Sequence, residues 1–305
     1  MVQALRSVLG QTLGDIEVII VVDGAAPDTE QALSAFSDPR LQVHVRPQRG
    51  GQSAALNSGL AIARGEWCAL LDDDDEWLPQ KLETQLRAAE ACNAPNPVIV
   101  CRFVARSEAD DTVWPRRSPE MGEPVCEYLF CRRSFAFGEG IIPTSMIFAR
   151  TSLFRAVPLD ERLRRHSDLD WLTRVGQRSD VRVEVVPGAA PLAIWQMQQD
   201  RSRMSNNHDW RDSYAWLEHA RDRVTPRAYA GFLLTWVSLS ARRQRDLGAF
   251  VFLLRQALKH GRPTALEIAV HVAIWAVPDA LRRTVSRSME ARSRRAAGSI
   301  EASTR

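Results

Sequence analysis

Four consecutive carboxylates, Asp72 to Asp75, are the side chains of this sequence best suited to chemistry. They follow a short apolar run, Trp67 to Leu71, that predicts a buried strand. A helix is expected to begin soon after them, at Leu78-Pro79, because proline favours the first helical turn. The acids would therefore stand at the carboxyl end of a strand, which is the edge where open α/β sheets bind ligands.

Two interpretations of this acidic stretch are open. A solvated turn tolerates the mutual repulsion of four carboxylates at little cost. Alternatively, Asp72 and Asp74 turn the same way in an extended segment and hold Mg²⁺ or Mn²⁺, with coordination positions left for water and phosphate oxygens. An EF-hand calcium site is a poor fit, because no glycine and no distal glutamate follow at the required spacing.

A second candidate site lies where another strand ends. The β-branched run Glu17 to Val22 predicts a buried strand that leads into Asp23. Further along the chain, the turn Arg49 to Ser53 precedes a helix of small residues. The glycines of this turn would let the backbone approach a ligand, and the N-terminus of the helix favours an anion. A Gly-Gly turn by itself is more often an ordinary loop.

Two further segments carry polar groups that could act on a ligand. Ser167 is expected to cap a helix that begins at Asp168, and Asp168 and Asp170 would then stabilise the positive end of that helix. Earlier in the chain, a glycine-containing loop ends in Thr144 and Ser145. Their hydroxyl groups line a polar pocket in one interpretation and belong to an ordinary loop in the other.

The elements that must position these residues alternate between strand and helix in the first part of the chain. This alternation predicts an α/β fold with a parallel sheet covered by helices. A dinucleotide site is not supported, since no G-x-G-x-x-G follows a strand. After residue 205 the strand signal disappears. A helical region is predicted over 206–287, and residues 288–305 are expected to be a disordered basic tail.

Composition narrows the class of protein. With 305 residues, 45% of them hydrophobic, the chain can bury a sizeable core, and its net charge of +3 is too small to imply a nucleic-acid partner. The five cysteines form no C-x-x-C pair and are expected to be reduced, as in a cytoplasmic protein. The first residues lack the apolar core of a signal peptide, and no apolar run is long enough to predict a membrane span.

One apolar segment near the C-terminus has two interpretations. Ala265 to Leu281 is interrupted by Glu267, His271 and Pro278, and arginines follow it. It could lie peripherally against an anionic membrane, at the inner face of the cell membrane. In the other interpretation it is a buried helix with a basic end.

Four blocks of the sequence, taken together, resemble those of family 2 glycosyltransferases. They are SVLGQTLGDIEVIIVVDG, RGGQSAALNSGLAIARGEW, LLDDDDEWLPQKLETQ and HSDLDWLTRV. The resemblance covers roughly residues 1–205 and implies a GT-A fold, a mainly parallel, Rossmann-like sheet flanked by helices. It divides this region into a nucleotide-sugar half, 1–100, and an acceptor half, 101–205.

The same resemblance implies an activity. Such enzymes transfer a sugar from a nucleotide-diphosphate donor to an acceptor hydroxyl, with inversion at the anomeric carbon. The expected acceptor is a growing glycan, often lipid-linked, in the synthesis of a surface polysaccharide or another glycoconjugate.

Individual residues receive roles from the resemblance. Asp72 and Asp74 match the D-x-D pair, with Asp74 on the metal, and Asp168 matches the catalytic base. The nucleotide sugar is assigned to Asp23, Gly51, Asn57, Asp72 and Asp73. The acceptor and the surroundings of the base are assigned to Thr144, Ser145, Asp170, Trp171 and Arg174.

Elementary chemistry agrees with these roles. A leaving diphosphate is strongly negative, and carboxylates cannot bind it directly, so a divalent cation, Mg²⁺ or Mn²⁺, must mediate. A sugar hydroxyl is a poor nucleophile at neutral pH, and a carboxylate on the opposite face of the sugar can take its proton. Asp168 lies far from Asp74 in the sequence and on a different element, as this division of tasks requires.

The chain departs from the family pattern at two points. The family normally begins with a strand of the type Ser-Val-Ile-Ile-Pro, and Met1 falls after that point. The first strand and part of the nucleotide pocket are therefore expected to be missing, which would expose the edge of a neighbouring strand. Relatives also often carry Gly-Ser-x-Asp where this chain has Gly24 to Pro27, which weakens any ribose contact beyond Asp23.

Two other functions are open on this sequence. A truncated relative could be catalytically inactive and act as a binding or scaffold protein through its C-terminal helices. A nucleotidyltransferase shares the nucleotide and metal chemistry, but the block around Asp168 favours the sugar transferase.

Overall fold

The computed structural model describes residues 1–107, 111–188, 190–197 and 209–277, and these residues form two compact units. The first unit comprises the described residues of Met1–Leu129 and Gly140–His208, and the second those of Phe130–Glu139 and Asp209–Arg305. Sheets flanked by helices make up the first unit and helices make up the second, so the predicted fold class is confirmed. Phe130–Glu139 belongs to the helical unit, although the sequence analysis places it in the acceptor half.

The beginning of the first unit alternates helices and strands in the predicted order. Its elements are α1 (Val2–Leu9), β1 (Val18–Val22), α2 (Pro27–Ser34), β2 (Leu41–Val45), α3 (Gln52–Ile62), β3 (Trp67–Ala69), β4 (Glu76–Trp77) and α4 (Lys81–Ala91). The prediction that Pro79 lies in the first turn of a helix is wrong, because the chain makes β4 first and α4 begins at Lys81. The acidic residues Asp72 to Asp75 consequently form the turn between β3 and β4.

The described rest of the first unit supplies six more strands and three short helices. These are β5 (Asn96–Val100), β6 (Phe103–Arg106), β7 (Asp111–Trp114), α5 (Val125–Phe130), β8 (Ile147–Arg150), α6 (Thr151–Ala156), α7 (Ser167–Val175), β9 (Val181–Val185) and β10 (Ala193–Gln196). Only two residues, Cys101 and Arg102, separate β5 from β6, and the chain passes there from one sheet to another.

Three sheets are formed by these strands. Their orders are β3-β8-β5-β9, β4-β10-β6-β7 and β1-β2. The pairs β1–β2, β5–β9 and β6–β10 are parallel, whereas β3–β8, β5–β8, β4–β10 and β6–β7 are antiparallel. Taken together, the sheets of the described residues are thus mixed rather than mainly parallel. Within the described residues, β1 pairs only with β2, and β3 pairs only with β8.

A carboxylate ties the beginning of β1 to the beginning of β3. Glu17, directly before β1, accepts the backbone N–H groups of Arg64 (2.5 Å) and Gly65 (2.8 Å), which lead into β3. The two strands are thus held near each other through this contact rather than through a shared ladder.

The core of the first unit lies around β5 and its neighbours. Val98–Val100 is buried along its whole length, as expected of a strand with partners on both edges. Against it packs α4, whose buried face is not purely apolar. Leu82 and Ala89 are buried there, but Lys81 and Gln85 are buried beside them.

The second unit contains five helices among its described residues. They are α8 (Trp210–His219), α9 (Pro226–Phe232), α10 (Ser238–Arg243), α11 (Gly248–His260) and α12 (Ala265–Ala276), and one π-helical turn, Leu233–Val237, joins α9 to α10. Phe130, Trp216 and Phe232 form an aromatic cluster at its centre, with Phe130 and Phe232 centroids 4.9 Å apart.

The apolar C-terminal segment forms α12, which a capping box between Thr264 and Glu267 begins. His271 is buried on its inner side, with Nδ1 2.8 Å from the hydroxyl of Ser238. The predicted basic end of this segment and the tail predicted over 288–305 lie outside the described residues. Among the residues that are described, none of the helices has the length and apolar character that crossing a membrane requires.

Candidate active site

The acidic turn is held in shape by a chain of hydrogen bonds that passes through Ser145. The backbone N–H of Asp72 donates to Ser145 Oγ (3.0 Å), and this hydroxyl donates to the carboxylate of Asp75 (2.6 Å). Asp75 also accepts the backbone N–H of Gln196 at the end of β10 (3.1 Å). Asp75 is buried, while Asp73 is exposed and Asp72 and Asp74 are half-buried. The turn thus directs one acid inward as a support and leaves the others accessible.

A buried lysine packs behind this turn. The indole Nε1 of Trp77 donates to the backbone carbonyl of Ser145 (3.0 Å), and Lys81 Nζ lies 4.0 Å from the centre of the Trp77 ring. Lys81 donates to Gln85 Oε1 (2.6 Å), and the Gln85 amide donates in turn to the carbonyls of Ile99 and Met146, at 2.9 Å each. Burial lowers the pKa of Lys81 to about 8, because a cation in an apolar interior loses its hydration.

Four carboxylates act electrostatically on one another around Asp72. Burial, together with the neighbouring charges of Asp75, Asp168 and Asp74, raises the pKa of Asp72 to about 8, against one stabilising contact from the Gln52 amide (2.6 Å). The influence of Asp168 on Asp72 means that the two residues, remote in the sequence, are neighbours in the fold. A cluster of neighbouring carboxylates of this kind suits a cation or a proton.

Asp168 stands in the first turn of α7. The predicted cap is wrong in one respect, since Ser167 is already helical and the residue before the helix is His166, whose φ of 59° is left-handed. Such a conformation is rare for a residue with a Cβ and turns the chain sharply before Asp168. Burial raises the pKa of the half-buried Asp168, although the Leu169 N–H (2.8 Å) and Arg165 act in the opposite direction. A carboxylate with a raised pKa is a stronger base.

The other predicted residues of α7 face the protein interior. Asp170 is buried and pairs with Arg174 Nε (2.7 Å), and Arg174 also donates to the carbonyl of Pro158 (2.8 Å). Trp171 stacks on Phe154 at 4.5 Å. These contacts hold the helix that carries Asp168 in place. Thr144, in a short 3₁₀ turn with Ser145, is likewise buried.

Asp23 is engaged by the turn that precedes α3. Its carboxylate accepts the backbone N–H groups of Gly50 (2.9 Å) and Gly51 (2.7 Å) and pairs with Arg46 (2.5 Å). Burial works to raise the pKa of Asp23, but the two N–H groups and Arg46 outweigh it, and the pKa lies below its ordinary value. Gly51 has a φ of 87°, which glycine adopts without strain. The turn therefore has one fixed shape.

Asn57 links α3 to the loop that leads to α7. Its amide nitrogen donates to the carbonyl of Leu159 and to Glu161, at 2.9 Å each, and its amide oxygen accepts the N–H of Leu159 (3.1 Å). Both ends of this side chain are thus used within the protein. These hydrogen bonds connect α3 to the segment that precedes Asp168.

Sequence reasoning missed three residues of this site. Asp75 was grouped with its neighbours, and neither Gln52 nor Arg46 was considered, although each contacts a predicted acid. The only sequence feature that pointed to a role for Gln52 was its position directly after the glycine turn. Within the described residues, no group of three or more His, Cys, Asp or Glu side chains is arranged to hold a metal ion. A cation here would need oxygen atoms from a ligand as well.

Comparison with known sequences gives a family. The family model of glycosyl transferase family 2 matches residues 1–158. An uncharacterized glycosyltransferase of Nostoc sp. is 39% identical over 165 residues, which cover 52% of this chain and 49% of that protein. The amylovoran biosynthesis glycosyltransferase AmsB of Erwinia amylovora is 25% identical over 222 residues, which cover 68% of this chain and 69% of AmsB. The chain spans about half the length, or less, of the first curated relatives that it matches.

Solved structures show the same fold. A crystal structure of TarS 1–349 from S. aureus superposes with a TM-score of 0.57 at 16% identity, over 95% of this chain and 87% of that one. A structure of the same TarS segment in complex with UDP-GlcNAc superposes with a TM-score of 0.50 at 15% identity, over 90% of this chain and 66% of that one. Likeness at this level of identity concerns the fold alone.

Proposed function

We propose that this chain, which belongs to glycosyl transferase family 2, transfers a sugar from a nucleotide-diphosphate donor to a hydroxyl group of a glycan, with inversion. One observation carries the proposal. Asp168 and the acidic turn lie close enough for the charge of Asp168 to act on Asp72, although they stand on different elements. An inverting transfer needs such an arrangement, with a base and a diphosphate site beside the same sugar.

Asp168 is the proposed general base. Its carboxylate takes the proton of the acceptor hydroxyl as the acceptor oxygen attacks the anomeric carbon, and the bond from that carbon to the diphosphate breaks. The nucleoside diphosphate leaves on the opposite face, so the anomeric configuration inverts and no covalent enzyme intermediate forms. The raised pKa of Asp168 supports this role, because a general base acts best when its pKa is nearer the working pH.

The acidic turn is the proposed site of Mg²⁺ or Mn²⁺. Its carboxylates are hard oxygen donors, and burial and their mutual repulsion, which together raise the pKa of Asp72 to about 8, are unfavourable effects that a bound cation relieves. Asp74 would hold the ion, with Asp72 and Asp73 toward the donor sugar and ribose. When bound, the ion would supply positive charge against the leaving diphosphate. Asp75 keeps its own task, since its carboxylate is bonded to Ser145 and Gln196.

The donor side of the site is proposed to include Asp23 and the turn before α3. Asp23 fixes the backbone of Gly50 and Gly51, and the following N-terminus of α3 offers partial positive charge to an anion. Asn57 is proposed to act indirectly, through its hydrogen bonds within the protein. Its contacts to Leu159 and Glu161 would keep the base and the donor side in register.

The acceptor is proposed to be a surface glycan, extended on a lipid carrier at the inner face of the cell membrane. AmsB, a relative by sequence, is named for amylovoran biosynthesis, and TarS, a relative by fold, has been crystallised with UDP-GlcNAc. These names support a nucleotide sugar as donor and a polysaccharide as product. They do not select one sugar.

The experiment is a thermal-shift panel of UDP, GDP, dTDP and CMP, each with and without Mn²⁺, followed by transfer assays with sugars of the nucleotide that binds. We expect one nucleoside diphosphate to raise the melting temperature, and to do so only with the cation present. NMR of the product should then give the inverted anomer. Nucleotide binding without any transfer would favour a non-catalytic binding protein, and no binding at all would overturn the proposal.

A further inference from the structure

The outer side of α11 carries a stripe of apolar side chains, of which three are exposed and Leu254 is half-buried among the described residues. Leu247, Val251, Leu254 and Leu258 follow one another at intervals of four, three and four residues, which places them on one side of the helix. Leu247 is 76%, Val251 46% and Leu258 58% exposed. Large aliphatic side chains grouped in this way indicate a surface that something else covers.

This stripe is not needed for the packing of α11 in its own unit. The helix is anchored by Ala249, Leu253 and Ala257, which are buried and belong to a different side of the helix. His271 of α12 contacts the carbonyl of Phe250 from the inner side as well (3.1 Å). The packing of α11 within its own unit therefore does not depend on the exposed leucines and Val251.

Basic side chains border the stripe. Between Arg242 and Arg262 the chain has six basic residues against one acidic residue, Asp246. That single carboxylate is taken up by Trp210 Nε1 (3.0 Å) and Arg211 (2.8 Å). Five of the six basic residues are exposed, namely Arg243, Arg245, Arg255, Lys259 and Arg262.

These five cations differ from most arginines of the first unit. There, Arg46, Arg117 and Arg174 illustrate the usual state, in which the guanidinium is paired with a carboxylate. None of the five basic residues around α11 makes an ion pair with a described residue. Within the described part of the chain, their charge is therefore left for an anionic partner.

We propose that this α11 surface, made of Leu247, Val251, Leu254 and Leu258 with the five bordering cations, docks on the anionic headgroups of a lipid membrane. A helix with an apolar stripe and a basic border lies in the plane of the interface, its aliphatic side chains among the acyl chains and its cations at the phosphates. Each basic residue near such a surface strengthens binding, and salt weakens that part of the attraction.

A second copy of the chain is a less suitable partner for this surface. A symmetric contact through the stripe would bring the same five cations of two copies together. Like charges in one contact oppose association, so the charge pattern favours an anionic partner.

The test is co-sedimentation of the full chain with phosphatidylcholine vesicles, with and without phosphatidylglycerol, at low and at physiological salt. We expect binding to the anionic vesicles, weakened by salt. Val251→Glu with Leu258→Glu should abolish it, and Arg255→Gln with Lys259→Gln should weaken it on the order of fivefold for each charge removed. Met121→Glu, a fully exposed apolar residue of the first unit, and Arg87→Gln with Arg182→Gln are the matched controls and should bind like the unaltered chain.

Three outcomes would overturn the assignment. The unaltered chain could ignore anionic vesicles, or Val251→Glu with Leu258→Glu could bind as before, which would assign the contact to another segment. Light scattering could instead show a dimer that this double variant dissolves, which would assign the stripe to a second copy. Circular dichroism and nucleotide-dependent thermal shift on the same samples report folding and the proposed function separately, so loss of vesicle binding alone leaves the transfer proposal standing.

Discussion

The hydroxyl of Ser145 lies 2.6 Å from a carboxylate oxygen of Asp75 and also accepts the backbone N–H of Asp72 at 3.0 Å. A side chain from the segment directly before β8 thus supports the acidic turn between β3 and β4. The accessible acids of that turn depend on a contact that no neighbouring residue in the sequence supplies.

Replacement of Ser145 should therefore disturb the acidic turn without touching a ligand. In Ser145→Ala the buried Asp75 loses one partner and the Asp72 N–H loses its acceptor, so we expect destabilisation of about 1–3 kcal/mol and weaker cation-dependent nucleotide binding. Urea unfolding and nucleotide titration measure the two effects. Ser58→Ala removes a hydroxyl that bonds only within α3 and should change neither by much. Unchanged nucleotide affinity in Ser145→Ala would show that the turn keeps its shape without this contact.

Removal of the proposed base should separate catalysis from binding. Asp168→Asn keeps the size of the side chain but cannot accept a proton, so we expect the rate of transfer to fall by about 10²–10⁴-fold while nucleotide affinity stays within about twofold. Steady-state transfer assays and nucleotide titration give both numbers. Asp28→Asn, an exposed acid of α2, is the control. Full activity in Asp168→Asn would exclude this residue as the base.

Removal of the proposed cation ligand should weaken nucleotide binding, the quantity that Asp168→Asn is expected to leave unchanged. Asp74→Ala should abolish the part of nucleotide binding that depends on Mn²⁺, because the ion then lacks its protein ligand. Isothermal titration of nucleoside diphosphate with Mn²⁺ and with EDTA measures the difference. Asp15→Ala removes an exposed carboxylate elsewhere and should leave the difference intact. If Asp74→Ala keeps cation-dependent binding, the ion is held by other groups.

Asn57 should influence catalysis from a distance. In Asn57→Ala the segment at Leu159 and Glu161 loses three hydrogen bonds, and Asp168 follows that segment. We expect kcat to fall more than nucleotide affinity, since the base is displaced while the acidic turn is unaltered. Transfer kinetics beside nucleotide titration test this division. A loss confined to nucleotide affinity would instead support direct contact of Asn57 with the donor.

Lys81 gives the chain a distinctive response to alkaline pH. The pKa of about 8 lies below that of an unfolded lysine, near 10.4, so between these values the unfolded chain binds a proton that the folded chain does not. Stability should therefore rise with pH across this window, by about 3 kcal/mol in the contribution of Lys81. Burial raises the pKa of Cys68 and of Cys101, which lowers stability as the pH rises past the pKa of an unfolded cysteine, so the contribution of Lys81 is measured against Lys81→Met. In urea unfolding from pH 7 to 10, the unaltered chain and Lys259→Met should gain stability relative to Lys81→Met. Parallel curves for all three proteins would mean that Lys81 is not buried as described.

Much of this site was predictable because its groups lie in short motifs. The acids 72–75 are singled out by residue type and spacing and Asp168 by the family resemblance, and the elements around them were predicted to within a few residues. The burial of Lys81 was not predictable, since a lysine on a helix normally faces water. It is stable there because Gln85 Oε1 accepts a hydrogen bond from its ammonium group and Trp77 supplies a ring face, and both partners depend on tertiary packing.

The same limit applies to distances between motifs. The family resemblance assigns Asp23, Gly51 and Asn57 to one nucleotide-sugar site. It gives no indication that Asp23 accepts the Gly51 N–H or that Asn57 donates to the carbonyl of Leu159. Likewise, the predicted boundary near residue 205 misses Phe130–Glu139, because no local pattern distinguishes this segment from its neighbours. Hydrophobic periodicity predicts which residues share a face of one helix or strand. It does not predict contacts between residues that are far apart in the sequence.

The position of Phe130–Glu139 has a consequence during synthesis. Phe130 contacts Trp216 and Phe232, and the N–H of Arg132 reaches Glu267 at 3.4 Å, so these residues leave the ribosome well before their partners. At roughly 5–20 residues per second, the segment spends several seconds without its core. The helical unit can therefore be completed only after translation has passed α12, and a nascent chain paused earlier would present an unsatisfied aromatic surface to chaperones.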